Sequence, residues 1–385
     1  MDQEFDVAVI GLGSVGSMAM WQLCTTTDLK VVGIEQWGVG HANGSYAGDS
    51  RVFRTAYHEG WRYVPLLLRS REMWLDLERI TDRRLFLPCG MLAVDQPGHA
   101  PYESTLESIR RYDLPHQSFT TAQLRKTYPQ HTVTNDTEAV LDFLGGGLLS
   151  EIAVICGVQT AVAAGGTVIS GEPVLGIDEQ ADKLVIRTAN RTIRAAQVVI
   201  TSGSWTTRLR PQLGGVLKVA SVVLTWFAPE NPRRYTADVF PAFLRDQDGV
   251  HMFGVPSLDG YSIKAVSHTA DEVLVSDVDE VPPVASRASV EEISRNAHAF
   301  FADLSPEPVR HSIHHESVTA SRVPIVDLDP TGRIVTIAGL SGHGFKFAPA
   351  LGQLATSLIT GRSDDLYSAD FGLSAHPDAA GIALG

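Results

Sequence analysis

The stretch FDVAVIGLGSVG, residues 5–16, decides how this chain is read. Phe5 to Ile10 form an almost unbroken apolar run, the pattern of a strand buried on both faces of a parallel sheet, and the spacing GLGSVG follows at once. A helix is expected to open inside that spacing, with Ser14 and Val15 in its first turn. LKVVGIE then reads as a second strand ending at Glu35, followed by Gln36. Gly11 makes the tight turn, Gly13 lets backbone approach a pyrophosphate, and Gly16 lets the helix lie close to the sheet. Glu35, about twenty residues on, suits ribose hydroxyls. Glycine spacing alone would equally describe a flexible turn. Strand, turn, helix and acid in that order point to a dinucleotide.

Outward from this unit, Val64, Leu67, Leu68, Trp74 and Leu75 recur at helical spacing and predict a helix from Val64 to about Arg79. Residues 100–130 read as a helix pair. GTVISG, KLVIRTA and AAQVVITSG, between Gly166 and Gly203, read as strands returning to the nucleotide unit, and Leu217 to Ala265 as a strand-rich stretch with turn signals. Near the end, RIVTIAGLSGHGFKFAPALGQLATSLITGR places a buried strand before a second glycine turn and a helix stopping at Gly361.

A chain of 385 residues that is 44% hydrophobic is long enough for two or three domains. A net charge of -13 leaves no broad basic surface for nucleic acid or anionic lipid. Cys24, Cys89 and Cys156 are too few and too scattered for a disulfide framework or a zinc site. The amino terminus shows no basic and apolar leader, and the longest apolar run, around Val219 to Ala228, is too short to span a bilayer. A soluble, cytoplasmic protein, without membrane or nucleic-acid partners, is expected.

Two glycine turns feeding helices, one at each end of the chain, aim two positive helix ends at one cofactor across the switch point of the sheet. A flavin fits better than a nicotinamide. Its pyrophosphate would lie on the first helix, and the anionic edge of its reduced ring at the second, near Gly342, Gly344, Phe345 and Lys346.

Four strings carry a more specific likeness: HANGSYAGDSRVFRTAYHEGWRYVPLLLRS from His41, SGSWTTRL from Ser202, GYSIKAVSH from Gly260 and AGLSGHGFKF from Ala338. In order and spacing, over essentially the whole chain, they resemble the family of monomeric sarcosine oxidase and N-methyltryptophan oxidase. The resemblance implies FAD, oxidation of the C–N bond of a secondary amino acid to an imine, and oxygen reduced to hydrogen peroxide. It also implies cofactor contacts at Ser45, Arg51, Val174, Ser202, Gly203 and Trp205. Arg54 and Lys346 match its carboxylate-binding pair, a use suited to the arginine fork. Lys264 matches a lysine lying over the flavin N5, where a fixed charge would stabilise superoxide. If Ile263 faces inward instead, Lys264 is a solvated strand lysine. Arg51 and His268 match residues near flavin and substrate, although a lone strand histidine is as often structural.

The chain departs from that family in its pocket. In the family the flavin is tethered to a cysteine, but the corresponding HHESVTASRVPIVDL holds none, so FAD is expected to bind non-covalently. A family tyrosine falls on Glu316 or Val318, another on Phe253, and a histidine pair becomes Tyr46 and Ala47. These changes predict a larger or more apolar secondary or cyclic amino acid, with Phe253 in the substrate pocket. His311, His314, His315 and Glu316 would share a helix face, but Pro308 and nearby β-branched residues favour an extended segment, and a metal site is not expected.

The fold class expected is α/β. A discontinuous Rossmann-like FAD-binding domain (1–85, 148–216, 322–385) is joined to a sheet-rich substrate domain (86–147, 217–321), with a monomer acting on a small amine and O2. The rivals are a flavin dehydrogenase using another acceptor, an oxidase of a non-amino-acid C–N or C–H substrate, a lapsed nucleotide-binding protein, and an NAD(P) dehydrogenase, which leaves the second glycine turn unexplained.

Overall fold

In the computed structural model of the chain, which describes residues 3–270 and 272–382, the opening run forms the strand Gln3–Ile10 at the centre of a sheet. The strand pairs in parallel with Val31–Glu35 on one side and Thr192–Ile200 on the other. Thr167–Ser170 extends the sheet beyond Val31–Glu35, and Ile334–Ala338 beyond Thr192–Ile200, both in parallel. The period-two geometry of the strand explains its continuous apolar run. Val7 and Val9 face a core shared with the helices Ser14–Thr26, Ser150–Ala163 and Ala348–Thr360, whereas Ala8 and Ile10 face a second core with Val32, Ile34, Ile193 and Val198.

A second sheet, of nine strands among the described residues, is drawn from stretches between 91 and 142 and between 218 and 318. Its long strand Lys218–Phe227 pairs antiparallel with Arg310–Val318 from Lys218 to Trp226, and through Trp226 and Phe227 with Lys264 and Ile263. One face closes on an aromatic core of Phe227, Tyr235, Phe240, Phe243 and Phe301 under the helix Arg287–Phe300. The other face looks toward the first sheet. A small three-stranded sheet, Ser50–Phe53, Gly146–Leu149 and Phe86–Leu87, supplies Arg51 from its first strand and Arg54 from the residue that follows that strand.

The predicted helix at 64 runs from Val64 to Thr81, and Gly361 ends the last helix in the left-handed conformation at φ 67°. Residues 100–130 hold helices at Ala100–Tyr112 and Thr121–Thr127, the latter opened by a Thr120/Gln123 capping box, but an exposed edge strand, His116–Phe119, lies between them. His311 to Glu316 are extended within Arg310–Val318. Among the described residues no helix is long and apolar enough to cross a membrane, and no cluster of metal-ligating side chains forms.

Candidate active site

Between the two glycine turns lies a cavity of about 390 Å³. Its floor is the first turn, where a Cβ on Gly16 would sit 1.8 Å from the Gly11 carbonyl oxygen and 2.5 Å from the Thr201 hydroxyl. Only glycine lets helix and strand approach so closely. Gly13 caps the helix without any side-chain hydrogen bond, leaving the amides of the first turn free for an anion. Glu35 is buried, its carboxylate accepting hydrogen bonds from the Leu12 amide at 2.8 Å and the Trp37 amide at 3.2 Å.

The wall carries Gly11, Gly13, Ser14, Val15, Glu35, Gln36, Ser45 and Arg51 from the first part of the chain. It continues through Val174, Ser202, Gly203 and Trp205, then Phe253 and Lys264, and ends on Gly342, Gly344 and Phe345. Gly16 lies beneath the floor; Arg54, Lys346 and His268 stand outside this lining. Tyr46 and Ser50 line it too, and their buried hydroxyls have no hydrogen-bond partner among the described residues. A long cleft with a free helix end, an acid at the second strand and unpaired polar atoms fits an FAD molecule, which the residues from both glycine turns would hold.

Among the described residues, two cations on this cleft, Arg51 and Lys264, have no hydrogen-bonded carboxylate. Arg51 donates to the carbonyls of Ser45, Ala47 and Ser50, each at 2.6 Å. Lys264 is 4% exposed, and its Nζ donates to the carbonyls of Gly48 and Ser50, both at 2.9 Å. Both neighbours of Lys264 on its strand, Ile263 and Ala265, are buried as well, so the strand is covered on both faces and the solvated reading of Lys264 fails. Burial first, then Arg51, pushes the Lys264 ammonium well below its usual range, and burial lowers Arg51 to about 10. An anion in the cleft would reverse both effects.

Arg54 and Lys346 are 8% and 6% exposed. The Arg54 loop is tied down by Asp142, which accepts from the Thr55 and Ala56 amides at 2.6 and 2.9 Å. The predicted carboxylate-binding arginine already holds an internal carboxylate: its Nη2 donates to both oxygens of Glu59, at 2.7 and 2.8 Å. Lys346 donates to the His343 carbonyl at 2.8 Å and lies 5.4 Å from the Tyr57 ring centroid. Burial and then Arg54 bring Lys346 down to about 7. Burial alone would raise the Glu59 carboxyl, but Arg54, His58, His343 and Lys346 hold it well below the usual carboxylate range.

His268 follows the Lys264 strand and pairs with Glu272, Nδ1 to Oε2 at 2.9 Å; that bond raises it above an ordinary histidine despite burial. Phe253 sits two strands from the Lys218–Phe227 strand, with its ring 6.0 Å from His251. Sequence patterns do not single out Glu59 as a site residue, whereas the resemblance offers Glu316 or Val318 for a pocket position without giving either a role. Glu59 stands in the same string as Arg54, five residues on, and that spacing is the available signal. Glu316 reaches the cavity wall beside Gly342, whose φ is 80° and whose added Cβ would meet both carboxylate oxygens at 2.9 Å.

The profile of the "FAD dependent oxidoreductase" family matches residues 6–358. The chain is 30% identical over 374 residues to monomeric sarcosine oxidase of Bacillus sp. (strain B-0618), covering 94% of each chain. It is 30% identical over 378 residues to N-methyl-L-tryptophan oxidase of Yersinia pestis, covering 96% of this chain and 99% of the relative. Among solved structures, NikD, described as an unusual amino acid oxidase essential for nikkomycin biosynthesis, superposes with a TM-score of 0.83 over 98% of each chain at 21% identity. The cleft, its two glycine turns and these likenesses agree: the chain belongs to the FAD-dependent oxidoreductase family.

Proposed function

We propose that this protein is an oxidase of secondary amino acids, N-methyl or cyclic, that converts the C–N bond to an imine and passes the electrons to oxygen, giving hydrogen peroxide. The relatives named for sarcosine and N-methyl-L-tryptophan support the substrate class. The bound FAD supplies the two-electron chemistry. The chain's own residues supply the rest. Free amides at the first turn suit the pyrophosphate, with Ser14, Val15, Glu35, Gln36, Val174, Ser202, Gly203 and Trp205 along the nucleotide and Gly342, Gly344 and Phe345 at the ring. None of the three cysteines stands on the described cavity wall, which supports non-covalent FAD. The membership of the two large sheets supports division into an FAD domain and a substrate domain along the boundaries expected from sequence.

Arg54 and Lys346 bind the substrate carboxylate once Glu59 gives way, Phe253 packs on the substrate, and His268 lies near its amine. The observation that carries the reading is Lys264: a buried ammonium on the cleft wall, held by two neutral carbonyls and beside Arg51. A charge costly to bury and compensated by no hydrogen-bonded acid suits an anion that forms transiently, as superoxide does. The test is aerobic turnover with N-methyl and cyclic amino acids in an oxygen electrode, with peroxide and carbonyl product assayed together. One peroxide per oxygen and per product is expected; turnover only with an artificial acceptor would refute oxidase function.

A further inference from the structure

We infer that Glu316 is the anchor for the substrate's ammonium group and the acceptor of its proton, an inference that rests on the amino-acid reading above. Glu316 lies on Arg310–Val318, opposite Ala220 of the long strand Lys218–Phe227, and projects to the cavity wall against Gly342. Among the described residues its carboxylate accepts no hydrogen bond and enters no ion pair, whereas other carboxylates around the site are engaged: Glu59 with Arg54, Glu272 with His268, Glu151 with the amides of Gly48 and Asp49. Such an acid facing a ligand cleft is available to a ligand.

The charges around it fit a zwitterion. Lys346, four residues beyond Gly342, is within electrostatic reach of Glu316, and Arg54 acts on Lys346. An α-amino acid carries carboxylate and ammonium on one carbon, so a cation pair and an acid flanking one glycine turn complement it. The groups that face Glu316 are Arg51 from its short strand, Arg322 from the following loop, Lys346 from the second turn, and His268 and Glu272 from the turn after the Lys264 strand. Burial and Glu272 raise the Glu316 carboxyl, while Arg322, His268 and Arg51 oppose the rise.

The proton balance is simple. The bound ammonium R2NH2⁺ and the carboxylate become R2NH and a carboxylic acid, the nitrogen lone pair is freed for C–H oxidation, and no electron moves in this step. A carboxyl shifted toward the amine makes that transfer less uphill.

The experiment uses FAD-loaded protein and follows the visible flavin band. Two ligands of similar shape are titrated: N,N-dimethylglycine, cationic at nitrogen, and methylthioacetate, neutral at the matching sulfur. Glu316→Gln is expected to weaken dimethylglycine at least about tenfold, the loss of one charge-assisted contact, and to leave methylthioacetate within about twofold. Glu316→Asp should restore part of the difference. In anaerobic reduction by sarcosine or L-proline, Glu316→Gln should displace the rising limb of the pH profile to higher pH. Equal weakening of both ligands overturns the anchor, and an unmoved pH limb overturns the proton transfer. Flavin content and melting temperature of the variants show whether they fold. If neither amino acid reduces the wild type, the substrate reading fails, but the two-ligand comparison still judges Glu316.

Discussion

Removing the Glu59 carboxylate tests how the site admits a substrate. Glu59 grips Arg54 through two hydrogen bonds of 2.7 and 2.8 Å and also sits among His58, His343 and Lys346. In Glu59→Gln, Arg54 loses its hydrogen-bonded acid, and Lys346 keeps Glu316 but loses Glu59. Arg54 is buried but 27% of the Glu59 side chain is exposed, so the loss is that of one charge-assisted interaction, about 1.5–3 kcal/mol. At about 2.1 cal/mol/K of unfolding entropy per residue over 385 residues, that is a fall in Tm of roughly 2–4 °C. The same change frees the two cations for an external carboxylate. If Glu59 competes with the substrate, removing one charge-assisted interaction of about 1.5–3 kcal/mol should tighten a carboxylate ligand by roughly ten- to a hundredfold. Differential scanning fluorimetry with and without methylthioacetate, paired with titration of the flavin band, reads both effects. The expected result is a less stable free protein with a larger ligand-induced rise in Tm than wild type. Weaker binding by the variant would refute competition and make Glu59 a residue that positions Arg54.

Lys264→Met should leave anaerobic flavin reduction within a few-fold and slow reoxidation by oxygen by about two orders of magnitude, since a unit charge about 5 Å away at an effective dielectric of about 20 contributes roughly 3 kcal/mol; stopped-flow traces showing both steps slowed equally would remove its oxygen role. Gly16→Ala places a Cβ 1.8 Å from the Gly11 carbonyl oxygen, so the turn must shift, and at about 1–3 kcal/mol of overpacking the purified protein should retain markedly less FAD per chain; unchanged flavin content would contradict the role of the close approach. The Lys346 ammonium is brought down to about 7 from 10.5, so its charge is present below that pH and lost above it in the free protein. The affinity for methylthioacetate should therefore fall as pH rises through about 7, and Lys346→Arg should abolish that step; a flat wild-type profile would contradict it. Precipitation with acid should release all the yellow colour from the protein, and colour remaining on the pellet would mean a covalent link.

The parts of this architecture that rest on local spacing were legible in the sequence. The first strand, its glycine turn and Glu35 lie within a few dozen residues, and the burial of the strand on both faces is written in its apolar run. The second glycine turn was visible for the same reason. His116–Phe119 was hidden because three of its four residues are exposed, which removes the apolar signal of a strand. Lys264 could not be aimed from alternation, because its whole strand is buried on both faces. Glu59 acts through a loop contact without periodicity. Glu316 reaches the cavity only through the register that sets Arg310–Val318 against Lys218–Phe227, about ninety residues apart in sequence, and no local pattern encodes that register.

The most direct test of amino-acid oxidation through bound FAD is an anaerobic titration of the purified yellow protein with a panel of N-methyl and cyclic amino acids, following the flavin absorbance. At least one of them should bleach the flavin band stoichiometrically, and admitting air should restore the band with formation of hydrogen peroxide. A flavin that dithionite reduces but no amino acid of the panel bleaches would contradict amino-acid oxidation.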